Sequence, residues 1–406
     1  MKTIQTDVCI VGGGPAGMLL GLLLGKAGVR VLVLEQHRDF SREYRGEVLM
    51  PRFTQMMRQI GLFEYLEKYP HLKLSEIEGF YNSRRMVRIG FEEIAPDAPF
   101  AIWMPQPILL QAFLDKAKNY SGFEIRFDTR VEDLIREDGK TVGVIASRPE
   151  GKTEIRARVT VGTDGRFSII RKRGGFKVSD EHHRFDIVWF TLPKPQNYDN
   201  RARFFLSAGR NCLIPPKYPD SIQCGLVVPK DEFGRYVHQG IDSLRQVLLK
   251  CTPLFHPFAR ELKDFSPFNV LQAKIEYVEQ WAQGGLLLVG DSAHTCSPAG
   301  AIGVSVAVAT AIVAADVIWD CFERDDFSAR ALGRVQEIRE KEVLHLQALQ
   351  KSFSSLLLPD AKWKQFLTLP LLFILGQSGL FRFLPRDMLV MKEFLPLKNA
   401  ALQEPG

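Results

Sequence analysis

Apolar residues along this chain fall into three patterns. Short unbroken runs at Val8–Val11, 29–34, Val159–Gly162 and 286–289 read as strands buried on both faces. The first is followed by a helical period over 18–26, and the last by a segment of Ala, Val and Ile over 302–319. In between, "IEGFYNSRRMVRIGF", "FDIVWFTLP", "RARFFLSAGRNCLIPP" and "SIQCGLVVPK" alternate apolar with polar positions, the mark of a sheet with one face on a core. "QPILLQAFLDKA" reads as a helix opening at Gln106, and 326–357 as a long amphipathic helix that braces two lobes. These elements predict an α/β chain: a Rossmann-like unit, an inserted mostly antiparallel β-sheet domain, and a helical C-terminal region. The expected division is 1–73, 105–179 and 276–325 for the first unit, 74–104 and 180–275 for the sheet, and 326–406 for the helices.

The junction after the first strand is Gly12-Gly-Gly-Pro15-Ala16-Gly17. In a strand-to-helix turn of this form Gly12 permits the tight bend, Gly14 lets backbone approach a pyrophosphate, and Gly17 lets helix and strand pack closely. A phosphate then meets the free N–H groups of the helix N-terminus. The second strand ends at Glu35, 21 residues after Gly14, where a carboxylate grips a ribose hydroxyl. An acidic residue there suits an unphosphorylated ribose, as in FAD or NAD.

Two later segments bear on which dinucleotide is held. "GDSAHTCSPAGAIG" follows the last buried run, so Asp291 stands where its side chain can accept hydrogen bonds from a sugar-alcohol chain. Pro298, Gly300 and Gly303 bring backbone close to a flat ligand, and the next helix points its N-terminus at it. "GTDGRFSIIRKRGG" breaks a strand at Asp164-Gly165 and starts a helix near Ser168 and Arg171.

Together the three segments resemble the FAD-dependent aromatic hydroxylases, the class A flavoprotein monooxygenases of the para-hydroxybenzoate hydroxylase and ubiquinone-biosynthesis hydroxylase type. The family's GxGxxG, DG and GD motifs match Gly12 to Gly17, Asp164-Gly165 and Gly290-Asp291 in order, over roughly residues 5–345. The resemblance implies FAD as cofactor, NAD(P)H as transient electron donor, and O₂ activated as a flavin C4a-hydroperoxide that hydroxylates an apolar aromatic or polycyclic molecule. It also implies an Arg45 running beside the FAD, a Gln106 near the flavin chain, and a Val131 whose backbone meets the adenine. By the same resemblance Asp164 serves both FAD and the passing nicotinamide, and Pro298 faces the flavin edge where oxygen reacts. Ser305 and Thr310 depart from the pattern, standing where Asn and Asp are usual. His294 is expected to cap or pack.

Phe80, Trp189 and Phe204 are candidates for the substrate pocket, on a sheet expected to roof the flavin; Phe190 and Phe205 lie in the same strands. Net charge is +6, and basic residues cluster only as Arg84-Arg85 and Arg171-Lys172-Arg173, which disfavours nucleic acid as a partner. Six cysteines without a CxxC pair or metal spacing exclude a redox dithiol and a zinc site, and fit a reducing, cytoplasmic setting. "FLTLPLLFILGQSGLFRFLP" is apolar but broken by Pro370, Gly376, Gly379 and Pro385. It reads as buried short helices or as a peripheral membrane contact with Lys362, Lys364, Arg382 and Arg386 at the headgroups. A flavin reductase on the same scaffold and a non-enzymatic binding protein remain alternatives.

Overall fold

The computed structural model describes residues 2–41, 47–82, 84–206, 211–357 and 386–399. Arg45 and the apolar segment with Lys362, Lys364 and Arg382 lie outside them.

Two sheets meet across one cavity. The first has the strand order Ala282–Gln283, Leu286–Leu288, Val159–Gly162, Val8–Val11, Val31–Leu34 and Phe123–Arg126. Every pairing in it is parallel except that of the first two, which is antiparallel. Its strands are buried on both faces because the helices Pro15–Lys26 and Gly303–Arg324 pack against it, which explains why they read as unbroken apolar runs. The first helix starts three residues earlier than its apolar period suggests, at Pro15, where a fixed φ and no N–H suit the first turn.

The second sheet has nine strands and alternates in the expected way. From one edge it runs His294–Thr295, Asn269–Val278, Val178–Pro193, Ser221–Pro229, Asn211–Ile214, Arg201–Leu206, Glu76–Tyr81 and Arg84–Gly90, with Pro216–Lys217 added beside Ser221–Pro229. All these pairs are antiparallel except Arg201–Leu206 with Glu76–Tyr81. One face buries Val188, Phe190, Cys224 and Leu226 against the helix Ile241–Cys251 and its neighbours. The other carries Phe185, Ile187 and Trp189 and faces the cavity.

The helix Ala329–Leu357 ties the two parts together. Leu332, Val335, Val343 and Leu346 are buried on the main core. Three glutamines reach the backbone. Gln336 accepts from the Trp281 amide at 2.9 Å; Gln347 donates to the carbonyls of Glu276 and Thr295 at 3.1 and 3.0 Å; Gln350 donates to Ser297 and Ala299 at 2.8 and 2.7 Å. The same helix contributes Glu342, which pairs with two buried guanidiniums, Arg52 and Arg339. Ala299–Arg324 is the one described stretch long and apolar enough to cross a membrane, and 78% of its most apolar window is buried inside the protein. Arg386 opens the short helix Arg386–Leu389 and donates to the Ile94 carbonyl at 2.9 Å.

Candidate active site

The glycine turn after Val8–Val11 is packed against backbone and fastened by two side chains, Thr163 and Glu35. Gly12 has φ of 109°, and a Cβ there would lie 2.6 Å from the Thr163 carbonyl oxygen. A Cβ on Gly17 would lie 2.0 Å from the Gly12 carbonyl oxygen. Only glycine fits either place. Thr163 buckles the turn, its hydroxyl proton shared between the carbonyls of Gly12 and Val11 at 2.8 and 2.9 Å.

Gly14 is different: nothing lies within 4 Å of where its Cβ would be, and it lines the cavity beside Pro15 and Ala16. No side chain caps the helix that begins there, so its first-turn N–H groups are left for a ligand anion. Glu35 stands at the rim, accepting from the Gly13 and His37 amides at 2.7 and 2.9 Å, and its carboxylate keeps lone pairs for a ribose hydroxyl.

Around Asp164 and Asp291 the two loops clasp each other. The Asp164 carboxylate accepts from the Ser168 hydroxyl, from the Ile169 and Ile170 amides at 2.7 and 3.1 Å, and from Ser292 Oγ at 3.0 Å. It therefore caps the helix Ile169–Arg173. Ser292 Oγ in turn accepts from the Gly165 amide at 3.0 Å. Burial pushes the Asp164 carboxyl up, against these hydrogen bonds. Asp291 borders the cavity with Arg166 3.4 Å away; burial raises its carboxyl too, and Arg166 opposes the rise. Arg171 reaches the carbonyls of Asp291 and Ser292 and pairs with Glu276 at 3.4 Å.

His294 is a packing residue. It is buried, lies 4.8 Å from the Trp281 ring centre, and meets Thr310 Oγ at 2.9 Å. Thr310 gives its proton to the Val306 carbonyl, so the His294 Nε2–H is the donor between them. Burial, with Arg339 adding to it, lowers the imidazole to about 3. Ser305 is fully buried with an unpaired hydroxyl. Both departures from the family pattern thus sit in the helix interior, away from the cavity wall.

The cavity has a volume of about 1700 Å³, beyond the roughly 300–1,000 Å³ of a site for one drug-sized ligand. Glu35, Val131, Gly14, Asp164 and Asp291 line it, and so do Pro298, Gly303, Trp189 and Phe204. Gln106 lines it as well, its backbone N–H donating to the Glu47 carboxylate at 3.3 Å. Gly17 and Gly290 stand behind the wall; Gly290 has φ of 66° and packs on Ala16 and Ala307.

One expectation needs correction. Phe80 does not line the cavity but stacks on Phe205 with ring centres 5.0 Å apart, because alternation from Ile77 and Gly79 on the cavity face puts it on the outer one. Phe190 lies on that outer face too, stacked on Phe258. Gly300 lines the cavity, and a Cβ there would meet Met388 Cε at 2.2 Å, so its lack of a side chain also makes room for the C-terminal segment. Thr163, Ser292 and Glu276 escaped the sequence reading. Their partners lie 151, 128 and 105 residues away; Thr163 beside Asp164-Gly165 and Ser292 beside Gly290-Asp291 stand next to a motif, whereas Glu276 does not.

The profile of the FAD binding domain family matches residues 5–219 and 245–320. The chain belongs to that family. This flavoprotein is 30% identical over 364 residues to 6-methylpretetramide 4-monooxygenase of Streptomyces rimosus, covering 88% of this chain and 86% of the relative. It is 24% identical to the digeranylgeranylglycerophospholipid reductase of Methanocella arvoryzae, over 83% of each chain. In fold it matches P. aeruginosa PqsL, solved in complex with 2-aminobenzoylacetate, with a TM-score of 0.77 at 21% identity over 90% of this chain and 100% of PqsL. FAD is the flavoprotein's cofactor. The uncapped helix at Gly14, the open space there and the cavity running from Glu35 past Asp291 fit an extended dinucleotide.

Proposed function

We propose that this flavoprotein is a monooxygenase that uses NAD(P)H and O₂ to hydroxylate an apolar aromatic or polycyclic small molecule. The observation that carries the proposal is the continuity of the cavity, which joins the glycine cradle to the apolar face of the large sheet without a wall between. When bound, FAD would supply hydride acceptance from NAD(P)H and the activation of O₂ needed to oxygenate an electron-rich ring. The chain supplies position and dryness. First-turn amides after Gly14 hold the pyrophosphate, Glu35 the ribose, Val131 the adenine by its backbone, and Asp291 the ribityl hydroxyls, with Gln106 beside them. Pro298 and Gly303 bound the space where the ring lies. The sheet excludes water from the reacting centre.

NAD(P)H serves as a transient donor, since only one glycine cradle of this form is present in the sequence. The six cysteines are all unpaired, as a reducing cytoplasm would keep them.

The test is substrate-stimulated NAD(P)H oxidation under ¹⁸O₂. The expected outcome is one labelled atom in the product. The same apolar cavity would suit an isoprenoid chain, and the Methanocella relative is named as a reductase. Full turnover without oxygen would therefore replace the monooxygenase reading with the reductive one.

A further inference from the structure

Six residues from six strands form one transverse row on the cavity side of the large sheet. Their registers link end to end: Trp189 opposite Gly225, Gly225 opposite Leu213, Leu213 opposite Phe204, Phe204 opposite Gly79, and Gly79 opposite Val87. The glycines are not gaps. A Cβ on Gly225 would lie 2.7 Å from Trp189 Cζ3, and one on Gly79 would lie 2.3 Å from Phe204 Cζ. Each ring thus lies down over the glycine beside it. With strands about 4.8 Å apart, the row is a flat apolar ceiling about 24 Å long.

Two amide side chains line the cavity two residues from the row, Gln223 beside Gly225 and Asn211 beside Leu213, and Asn211 is already bonded within the protein. Gln223 lies two residues from Gly225 on the same strand, so its side chain shares the cavity face. Its neighbours Ile222 and Cys224 go to the opposite core. Gln223 lines the cavity, is only 6% exposed, and its amide has no protein partner, while its backbone N–H is taken by the Pro215 carbonyl. An amide that opens onto the cavity offers two donors and one acceptor to whatever is bound there.

We infer that Gln223 is the specificity-determining residue for a flat, fused polycyclic aromatic substrate that lies along the Trp189 to Val87 row and presents a phenol or ketone oxygen to the Gln223 amide. This rests on the monooxygenase reading above for what becomes of the bound molecule. The row supplies area without direction. Gln223 fixes which edge of the molecule comes first, and so which ring carbon is offered for reaction.

The test uses the FAD-loaded full chain and equilibrium binding, read from the visible absorbance of the bound flavin. Three probes are compared: 1,8-dihydroxyanthraquinone, anthracene as the same frame without oxygens, and phenol as a single oxygenated ring. Wild type should bind the first most tightly. Gln223→Leu should weaken it about two- to tenfold, the span of one ordinary hydrogen bond, and leave anthracene unchanged. Gln223→Met serves if the leucine variant does not retain FAD. Equal losses for the oxygenated and bare frames, or none for either, would overturn the role of Gln223. Failure of both tricyclic probes to bind, or phenol binding as tightly as they do, would overturn the ceiling. Loss of the ¹⁸O label with this binding pattern intact would instead remove the monooxygenase reading and leave the recognition site standing.

Discussion

The cradle and the ceiling are both built on glycine, and they use it in opposite ways. At Gly12 and Gly17 the space a side chain would fill is taken by carbonyl oxygens of the backbone. At Gly79 and Gly225 it is taken by the rings of Phe204 and Trp189. Backbone cannot move aside without undoing the turn, whereas a ring can swing about its χ angles. The cradle is accordingly a fixed frame for a cofactor, and the ceiling is an adjustable surface on which a substrate preference can be set.

The largest effect should come from Gly17→Ala, which drives a methyl into the Gly12 carbonyl. We expect a cost of about 3 kcal/mol together with loss of FAD, read as a fall in Tm and a colourless protein. Retention of yellow colour at wild-type Tm would show that the turn yields, and would erase the contrast.

Acid should act on the cradle side before the ceiling, because His294, next to the Asp291 loop, is buried uncharged. Its folded value of about 3 lies below the ordinary value near 6.5, so the unfolded chain binds the extra proton. Stability is therefore complete above about pH 6.5 and is lost as pH falls toward 3, at up to about 1.4 kcal/mol per pH unit. Denaturant titrations at pH 6.5 and 4.5 should show the loss, and His294→Gln should flatten it. An unchanged slope in that variant would assign the acid sensitivity to other groups.

Gly225→Ala should cost less, about 1–2 kcal/mol, because the Trp189 ring can tilt away. FAD content should stay at the wild-type level while the affinity for 1,8-dihydroxyanthraquinone falls. If the cofactor is lost instead, ceiling and cradle are one rigid unit.

Smallest in stability, and sharpest in meaning, is Gly14→Ala. Its φ of −74° suits any residue and no atom opposes the methyl, so the fold should keep its stability within about 0.5 kcal/mol. FAD affinity should nonetheless drop about tenfold or more, as the methyl occupies the pyrophosphate's approach. Unimpaired affinity would place the pyrophosphate elsewhere.

The same contrast explains what could be read from the sequence. Gly12 to Gly17, Glu35, Asp164-Gly165 and Gly290-Asp291 are local turns whose geometry is written in consecutive residues, and the structure brings Gly14, Glu35, Asp164 and Asp291 onto one cavity. The Trp189–Gly225 and Phe204–Gly79 pairs depend on register between strands 36 and 125 residues apart, which alternation alone does not disclose. Alternation does settle which face a residue takes once one neighbour is placed. Phe80 obeys it: with Ile77 and Gly79 on the cavity face Phe80 goes to the outer one, and only the phase of that strand is not legible in the sequence.

The three glutamines of the Ala329–Leu357 helix make its length a matter of timing. Each residue advances an α-helix by about 100°, so one residue inserted ahead of Gln336 would rotate Gln336, Gln347 and Gln350 together off the carbonyls and amides they serve. Gln350 holds Ser297 and Ala299 on either side of Pro298. The helix thus works as a cam: a change more than 35 residues along the chain from Pro298 would reach the wall of the flavin pocket without altering any residue that touches it.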